Sequence, residues 1–563
     1  MKHSETNGEM KWSGRPLRST AAALLLAMTL ASLTACSSIT GPAKGVEIDG
    51  NAWTIHGVLR MAGSTQPDNL NPLLATQVID TDLSMFWAGY LYMLDDHMRM
   101  QPELATTVPT IYNGGISRDG RTIVYHLRPG VKWQDGAPFT ADDVVYSWRQ
   151  LMNPRNDTGS RQGYDLITRI DEPNKHTVVI HLRRKWSPFV ATFFTMSATT
   201  YCILPKHILW KYRDLNDVPF NRLPIGTGPF QVVSNDKGNI RMVANPHYWR
   251  GAPKLNTIEF SVVANDATLL DMVKAHKVDF YANAAQALEP ELHGIRGATV
   301  YLYPFTRFTD IGFNTSRPQL RDVRVRQALA YATDRTQLIT HVTHGVNLPA
   351  DGDQPPFFWA HADDVKKYPY NPRLAAQLLD DAGWHLRSDG FRYRHGVRLK
   401  LEMVGFTGST TTAEAEQWIK AEWREVGVDV AVQNYSSDKL YASQADRGIE
   451  QTGHFDVAFE EWANGIDPDE SQLFLCQLRP PAGWNIYHYC NPALDAAENK
   501  AVSDYGQAHR KADYAKVQKI LAQDLPIFVI WFSQRQDVVN IDLKNYRPAQ
   551  AVSPFWNSWQ WDI

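Results

Sequence analysis

The chain has 563 residues, 44% of them hydrophobic and 21% charged, with a formal net charge of −3. That length calls for more than one domain, and a near-neutral balance with no basic run or stripe removes the electrostatic case for a nucleic-acid partner. The 18 Trp, 23 Tyr and 22 Phe suit a ligand cleft as well as a core, because a flat, stiff ring gives contact area at small entropic cost.

Residues 1–35 read as an export signal. Lys2, Lys11, Arg15 and Arg18 form a basic head before an apolar run of 13 residues, Ala21 to Leu33. A bilayer span needs about 20, so the run reads as the core of a signal peptide. Leu33-Thr34-Ala35-Cys36 resembles the lipobox of bacterial lipoproteins. The resemblance implies cleavage before Cys36, a lipid on that cysteine, and residues 36–50 as a flexible tether. The expected location is the periplasmic or cell-surface side of a bacterial membrane, anchored through Cys36.

From Trp53 the signals alternate. A strand is predicted over residues 54–63, then helices over 69–75 and 80–94, the second capped by Asp80 or Asp82. Residues 122–127 read as a strand and 131–133 as a short one, each followed by a turn. The helix that follows runs to Met152. Asp135, Asp142 and Asp143 lie close to two tryptophans here and invite an acid–base reading. Thr140 at the N-cap and Asp143 at the third helical position instead form a capping box, and the carboxylates suit the positive end of the helix.

A strand over 176–182, an apolar helix over 187–196 and a glycine turn at Gly226–Gly228 leading into a strand come next. Residues 266–280 read as an amphipathic helix. Beyond Phe305 the pattern starts afresh, with helices capped by Asp322, Asp334 and Asn371. Pro372 sits at a first helical position and Gly383 at the matching end. Two strands flank Arg394–Gly396, a helix covers 411–427, and strands follow at 428–435 and 455–462. This is α/β organisation with a mixed sheet and no internal repeat. Of the remaining cysteines, Cys476 and Cys490 are expected to bridge and Cys202 to be a buried thiol; a zinc site lacks any C-x-x-C.

The sequence contains no G-x-S-x-G elbow, no H-E-x-x-H and no phosphate loop. His341 and His344 share a helix face, but no third metal ligand accompanies them. No cofactor, no metal and no enzymatic activity are expected.

Several stretches in order resemble one family. They are the Thr122–Trp148 segment, IGTGPFQVV, NPHYWRGAPKLNTIEF, IGFNTSRPQLRDVRVRQALAYATDR, DAGW, EVGVDV, EEWANGIDPDE and LFLC…NIYHYCNPALDAAE. The family is the family 5 extracellular solute-binding proteins, the dipeptide- and oligopeptide-binding receptors of ABC importers. The resemblance implies a two-lobed, type II periplasmic-binding-protein-like fold of three domains. Domain I is discontinuous (51–82, 218–304 and 527–563), domain II covers 83–217 and domain III covers 305–526. Two strands would cross between the lobes near Phe305–Ile311 and Leu525–Ile530 and act as hinges.

The same resemblance puts WANGIDPDE at the cleft, with Trp462 against the ligand. In peptide binders an aspartate three residues after that Trp pairs with the peptide ammonium. Here the position is Gly465, with Asn464 and Asp467 as substitutes out of register. Ser64 in the Ala62–Leu73 loop, and Trp484, Asn485 and Tyr487 beside the cysteine pair, are further candidates. The expected function is a monomeric receptor that captures a peptide-like ligand by closure and delivers it to an ABC permease. Alternatives are the same role for an oligosaccharide, a nickel complex or another solute, and a secreted hydrolase.

Overall fold

The computed structural model describes residues 50–197, 200–552 and 554–563. The export signal, Cys36 and the tether through residue 49 lie outside the described residues. Among the described residues no helix is long and apolar enough to cross a membrane.

The frame is an 11-stranded mixed sheet. At one end Val58–Gly63 lies parallel to Thr257–Val262 on one side and to Phe280–Tyr281 on the other. Asn239–Ala244 and Phe230–Asp236 extend that end antiparallel. At the other end Lys400–Phe406 lies parallel to both Asp429–Tyr435 and Val457–Ala463. Two long antiparallel strands, Ala298–Phe313 and Ile527–Asn540, join the ends. Ala298–Pro304 pairs with Gln534–Asn540 beside the first group; Phe308–Gly312 pairs with Ile527–Phe532 beside the second. The register breaks between Pro304 and Phe308, opposite Ser533. The two ends pack separate cores, one including Leu59, Trp87, Tyr125, Phe260 and Trp561, the other Phe313, Leu329, Leu401, Trp423 and Trp531.

A three-stranded sheet of Thr122–His126, Thr177–Leu182 and Ile167–Asn174 stands apart. Hydrogen bonds tie its surroundings to the other half of the chain. Ser187 N donates to Val502 O at 2.7 Å, and Tyr505 Oη donates to Gly120 O at 2.9 Å. Trp186 Nε1 donates to Asp469 Oδ2 at 3.1 Å.

The helix after the Asp135 turn is Ala141–Met152, and both halves of its capping box are present. Asp143 accepts from Thr140 N at 2.9 Å and from Lys206 N at 3.1 Å. Asp142 pairs with Lys206 Nζ. Asp135 accepts from Ala137 N at 3.1 Å and meets His207 Nε2 at 2.7 Å. Each aspartate therefore has a structural partner, which accounts for the local acidity without chemistry.

Several expected boundaries shift. Residues 69–75 form one turn around Pro72 rather than a helix, with Leu74 N and Ala75 N donating to Asn71 O. The helix expected over 80–94 is Val78–Trp87, and Tyr92–Leu94 is a strand. Gln77 occupies the N-cap, with Asp80 accepting from Gln77 N at 3.2 Å; Asp82 is used elsewhere. The helix stops where Gly226 and Gly228 meet its end. Gly228 N donates to Trp87 O at 3.0 Å, and a Cβ on Gly226 would stand 1.7 Å from that same oxygen. The glycines of the GTG turn are there for this close approach. Residues 131–133 make only an isolated bridge, Lys132 to Pro138, and the 187–196 stretch is helical only at Phe189–Thr192. Cys476 and Cys490 are joined by a disulfide, and Cys202 is a buried thiol.

Candidate functional site

The register break in the long strands is the floor of a cavity. Phe305, Arg307 and Ser533, at or next to the break, line a space of about 370 Å³. Asn283–Gln286, just past the end of Phe280–Tyr281, closes one side, and Glu460 and Glu461 close another. A second cavity of about 360 Å³ shares Tyr441, Glu460 and Glu461 with the first. Its wall carries Trp462, Gly465 and Trp484 from one half of the chain, and Ser160 and Gln162 from the segment before Ile167–Asn174. The two cavities adjoin along these shared residues and make up the candidate cleft, each of the size small-molecule sites have.

Trp462 is half-buried. Its Nε1 donates to Tyr487 Oη at 2.7 Å, and its ring meets Trp484 edge-on at a centroid distance of 6.3 Å. The indole is thus held at its polar edge while the ring borders the cavity. Tyr487 is fully buried behind it and stacks on Phe474. Asn464 borders the second cavity, but its amide is engaged: Nδ2 donates to Asp353 O at 2.8 Å. Its backbone N donates to Thr306 O at 2.7 Å, and its carbonyl accepts from Thr306 Oγ1 at 2.7 Å.

Asp467 turns away from both cavities into a bidentate pair with Arg510, at 2.8 and 2.6 Å. Asn485 is fully buried and donates to the carbonyls of Leu475 and Tyr489. Ser64 follows the end of Val58–Gly63 and lines neither cavity. Of the eight residues singled out from the sequence, Trp462, Asn464, Gly465 and Trp484 come together at the cleft. Asp467, Ser64, Asn485 and Tyr487 do not border it.

Charged residues that sequence reading did not single out dominate the first cavity. Arg535 borders it and is 3% exposed at its side chain. Its Nη1 bonds Asp82, and its Nε donates to Asp537 Oδ1 at 3.1 Å. Asp537 also accepts from Asn283 N at 2.7 Å and from Tyr303 Oη at 2.6 Å. The third guanidinium nitrogen, Nη2, is buried without an acceptor among the described residues. Glu460 sits opposite Asp310 across the strand pair, and both are buried. A carboxyl in such surroundings resists ionisation. Burial raises Glu460 above the ordinary carboxyl range. Burial and the Glu460 charge raise Asp310 well above the ordinary range. A pair of adjacent glutamates inside an apolar strand, VAFEEWA, was the sequence signal for this feature.

Among the described residues the histidine pair is not part of any group of three or more possible metal donors. His341 stacks on Trp418 at 4.7 Å. Among the described residues, the group of three possible metal donors is Asp95, Asp96 and His97. There Asp95 accepts from the backbone of His97 and Arg99 and from Gln101 Nε2, and so shapes a turn.

Residues 99–482 match the model of the bacterial extracellular solute-binding proteins, family 5 (middle). The chain is 24% identical over 525 residues to the oligopeptide-binding protein AppA of Bacillus subtilis, covering 92% of this chain and 93% of that one. It is 27% identical over 451 residues to the dipeptide-binding protein of Escherichia coli, covering 77% and 82%. The solved structure of AppA in complex with a nonapeptide superposes with a TM-score of 0.76 at 22% identity, covering 90% of this chain and 98% of that one. NikZ from Campylobacter jejuni in complex with Ni(L-His) gives 0.76 at 24% identity, covering 90% and 99%. The last two likenesses establish the fold.

Proposed function

The chain belongs to the bacterial extracellular solute-binding proteins of family 5, and on that premise we propose that it is a receptor that captures peptides and hands them unaltered to an ABC permease. The observation that carries this reading is the cleft itself. It lies at the register break of two strands that join two separately packed halves, and residues from both halves wall it. Relatives named as oligopeptide- and dipeptide-binding proteins support a peptide as the guest.

In this reading residues 51–82, 218–304 and 527–563 form domain I, 83–217 domain II and 305–526 domain III. The bend at Pro304–Phe308 and Ser533 is the hinge, slightly later on the second strand than its sequence suggested. The bonds from Gly120, Trp186 and Ser187 to Asp469, Val502 and Tyr505 hold the closed form. Export and a lipid on Cys36 keep the monomer at the membrane beside its permease. A receptor of this kind binds stoichiometrically and releases what it bound, so no catalytic residue is assigned.

Native mass spectrometry of the full-length protein with a pool of tripeptides tests this. One peptide per chain, recovered at its original mass, is the expected result. A lack of any peptide complex, or release of cleaved peptide, contradicts it. Trp462→Ala removes an aromatic wall and is expected to weaken peptide binding about 30-fold, the size of a buried Trp contact. Trp462→Phe keeps an aromatic face, gives up part of its area and the bond to Tyr487, and should lose less. Unchanged affinity in the alanine variant would remove Trp462 from the site.

A further inference from the structure

Behind the cleft wall three carboxyls converge. Glu460 on Val457–Ala463 faces Asp310 on Ala298–Phe313 in register. Glu450, on the turn Ile449–Thr452, interacts with both. Glu460 is 3% exposed, and Asp310 and Glu450 are 0% exposed. Both oxygens of Asp310, both of Glu450 and Oε1 of Glu460 are buried without a hydrogen-bond donor among the described residues. Nor does any described Lys or Arg pair with the three. Glu461, the next residue along, pairs with Arg307 at 3.5 Å instead.

Three carboxylates so placed cannot all carry charge, because each would be desolvated with no counter-ion. The empty protein therefore holds protons among them. Glu460 is among the residues that line both cavities, so this cluster has one member on the cleft. A second observation points to a charged guest. Arg535 lines the first cavity, and its Nη2 is buried without an acceptor among the described residues. The residues lining the two cavities thus include one with an unmatched acceptor and one with an unmatched donor, the complement of a zwitterion.

We propose that Glu460, backed by Glu450 and Asp310, receives an ammonium or guanidinium of the captured peptide, and that capture expels a proton to solvent. The inference rests on the peptide-receptor reading and gives it a cation subsite on residues other than Gly465. The balance is simple. A carboxylic acid of the cluster becomes a carboxylate, the guest cation becomes its counter-ion, and one proton passes to the buffer.

The groups facing Glu460 are Asp310 across the strand, Glu450 from its turn, Tyr441, Tyr487, and Glu416 from Thr410–Glu425; Glu461 and Arg307 stand at the mouth. Only the carboxyls change charge near neutrality. Because burial without a counter-ion holds protons on the cluster in the empty protein, ionisation must precede or accompany capture. Affinity then rises with pH while the cluster is protonated, by up to about tenfold per unit.

Calorimetric titration of the full-length protein tests this, with two pools. One contains tripeptides with free amino termini. The other is amino-acetylated and free of Lys and Arg. In phosphate and in Tris at pH 6.5 the first pool should release on the order of one proton per bound peptide, and its affinity should be lower at pH 5.5. Glu460→Gln, which keeps the volume and removes the charge, should abolish the release and weaken the first pool at least tenfold. It should bind the two pools alike, because the cation then has no partner. Glu450→Gln should reduce the release. Should the wild-type protein bind the first pool with no proton exchange, or no better than the second, the inference fails while peptide capture stands. If neither pool binds and a pool of neutral oligosaccharides does, both readings fall. The wild-type proton count needs no variant, so a misfolded mutant cannot hide the answer.

Discussion

Arg535→Met lowers the unfolding free energy by about 3–5 kcal/mol, the cost of stripping one partner from a buried ionic cluster. The reason lies in how much one guanidinium ties together. Its Nη1 meets Asp82 on Val78–Trp87, and its Nε meets Asp537 two residues along its own strand. Asp82 and Asp537 are both essentially inaccessible to water. Asp537 keeps the donors Tyr303, Tyr546 and Asn283 N when the arginine goes, whereas Asp82 loses its counter-charge. Adding Asp82→Asn to the methionine variant should therefore recover a large part of the loss. Arg535→Lys should fall between, since an ammonium cannot reproduce the forked geometry. Urea unfolding at pH 7.5 reads all three. A methionine variant within about 1 kcal/mol of wild type would show that the cluster is not the anchor described. Because Arg535 lines the cleft, folded Arg535→Lys protein should also lose more affinity for free-carboxylate peptides than for peptide amides.

Arg510→Met carries the second large expected effect, again about 3–5 kcal/mol. Arg510 holds Asp467 through two hydrogen bonds and donates a third to Ala501 O at 3.0 Å. Without it a largely buried carboxylate, 13% exposed at its side chain, is left without its counter-charge. Asp467→Asn in the same chain should return much of the stability, and Asp467→Ala alone should destabilise by a comparable amount. The informative part is what should not happen. Asp467 borders neither cavity, so folded Asp467→Asn protein should bind peptides as wild type does. A tenfold or greater loss of affinity in that variant, with its fold intact, would restore Asp467 as a ligand contact.

Local signals were legible where physics acts over a few residues. The capping box of Thr140 and Asp143 and the Asn371, Pro372 and Gly383 punctuation of Pro372–Asp381 fall where expected. The order of helices and strands beyond Phe305 holds for the same reason. The turn at Asn71 escaped because Pro72 reads equally well as a first helical position. The end of Val78–Trp87 escaped because the glycines that stop it are at Gly226 and Gly228. The site divides in the same way. Trp462 and Trp484 could be found because an aromatic wall is visible in composition and in the resemblance. The carboxyl cluster could not, because Glu460 meets Asp310 only through a strand register set by the whole sheet. Asp467 misled for the opposite reason: its partner, Arg510, lies 43 residues away. An acidic residue near a cleft motif reads as a ligand contact until that partner is seen.

Small-angle X-ray scattering of the full-length protein, with and without a saturating tripeptide pool, tests the central claim most directly. Closure about the bend at Pro304–Phe308 and Ser533 requires a smaller radius of gyration once a peptide is bound, with the peptide recovered intact. Superimposable curves under conditions where mass spectrometry finds the peptide bound, or the steady appearance of peptide fragments, would contradict it.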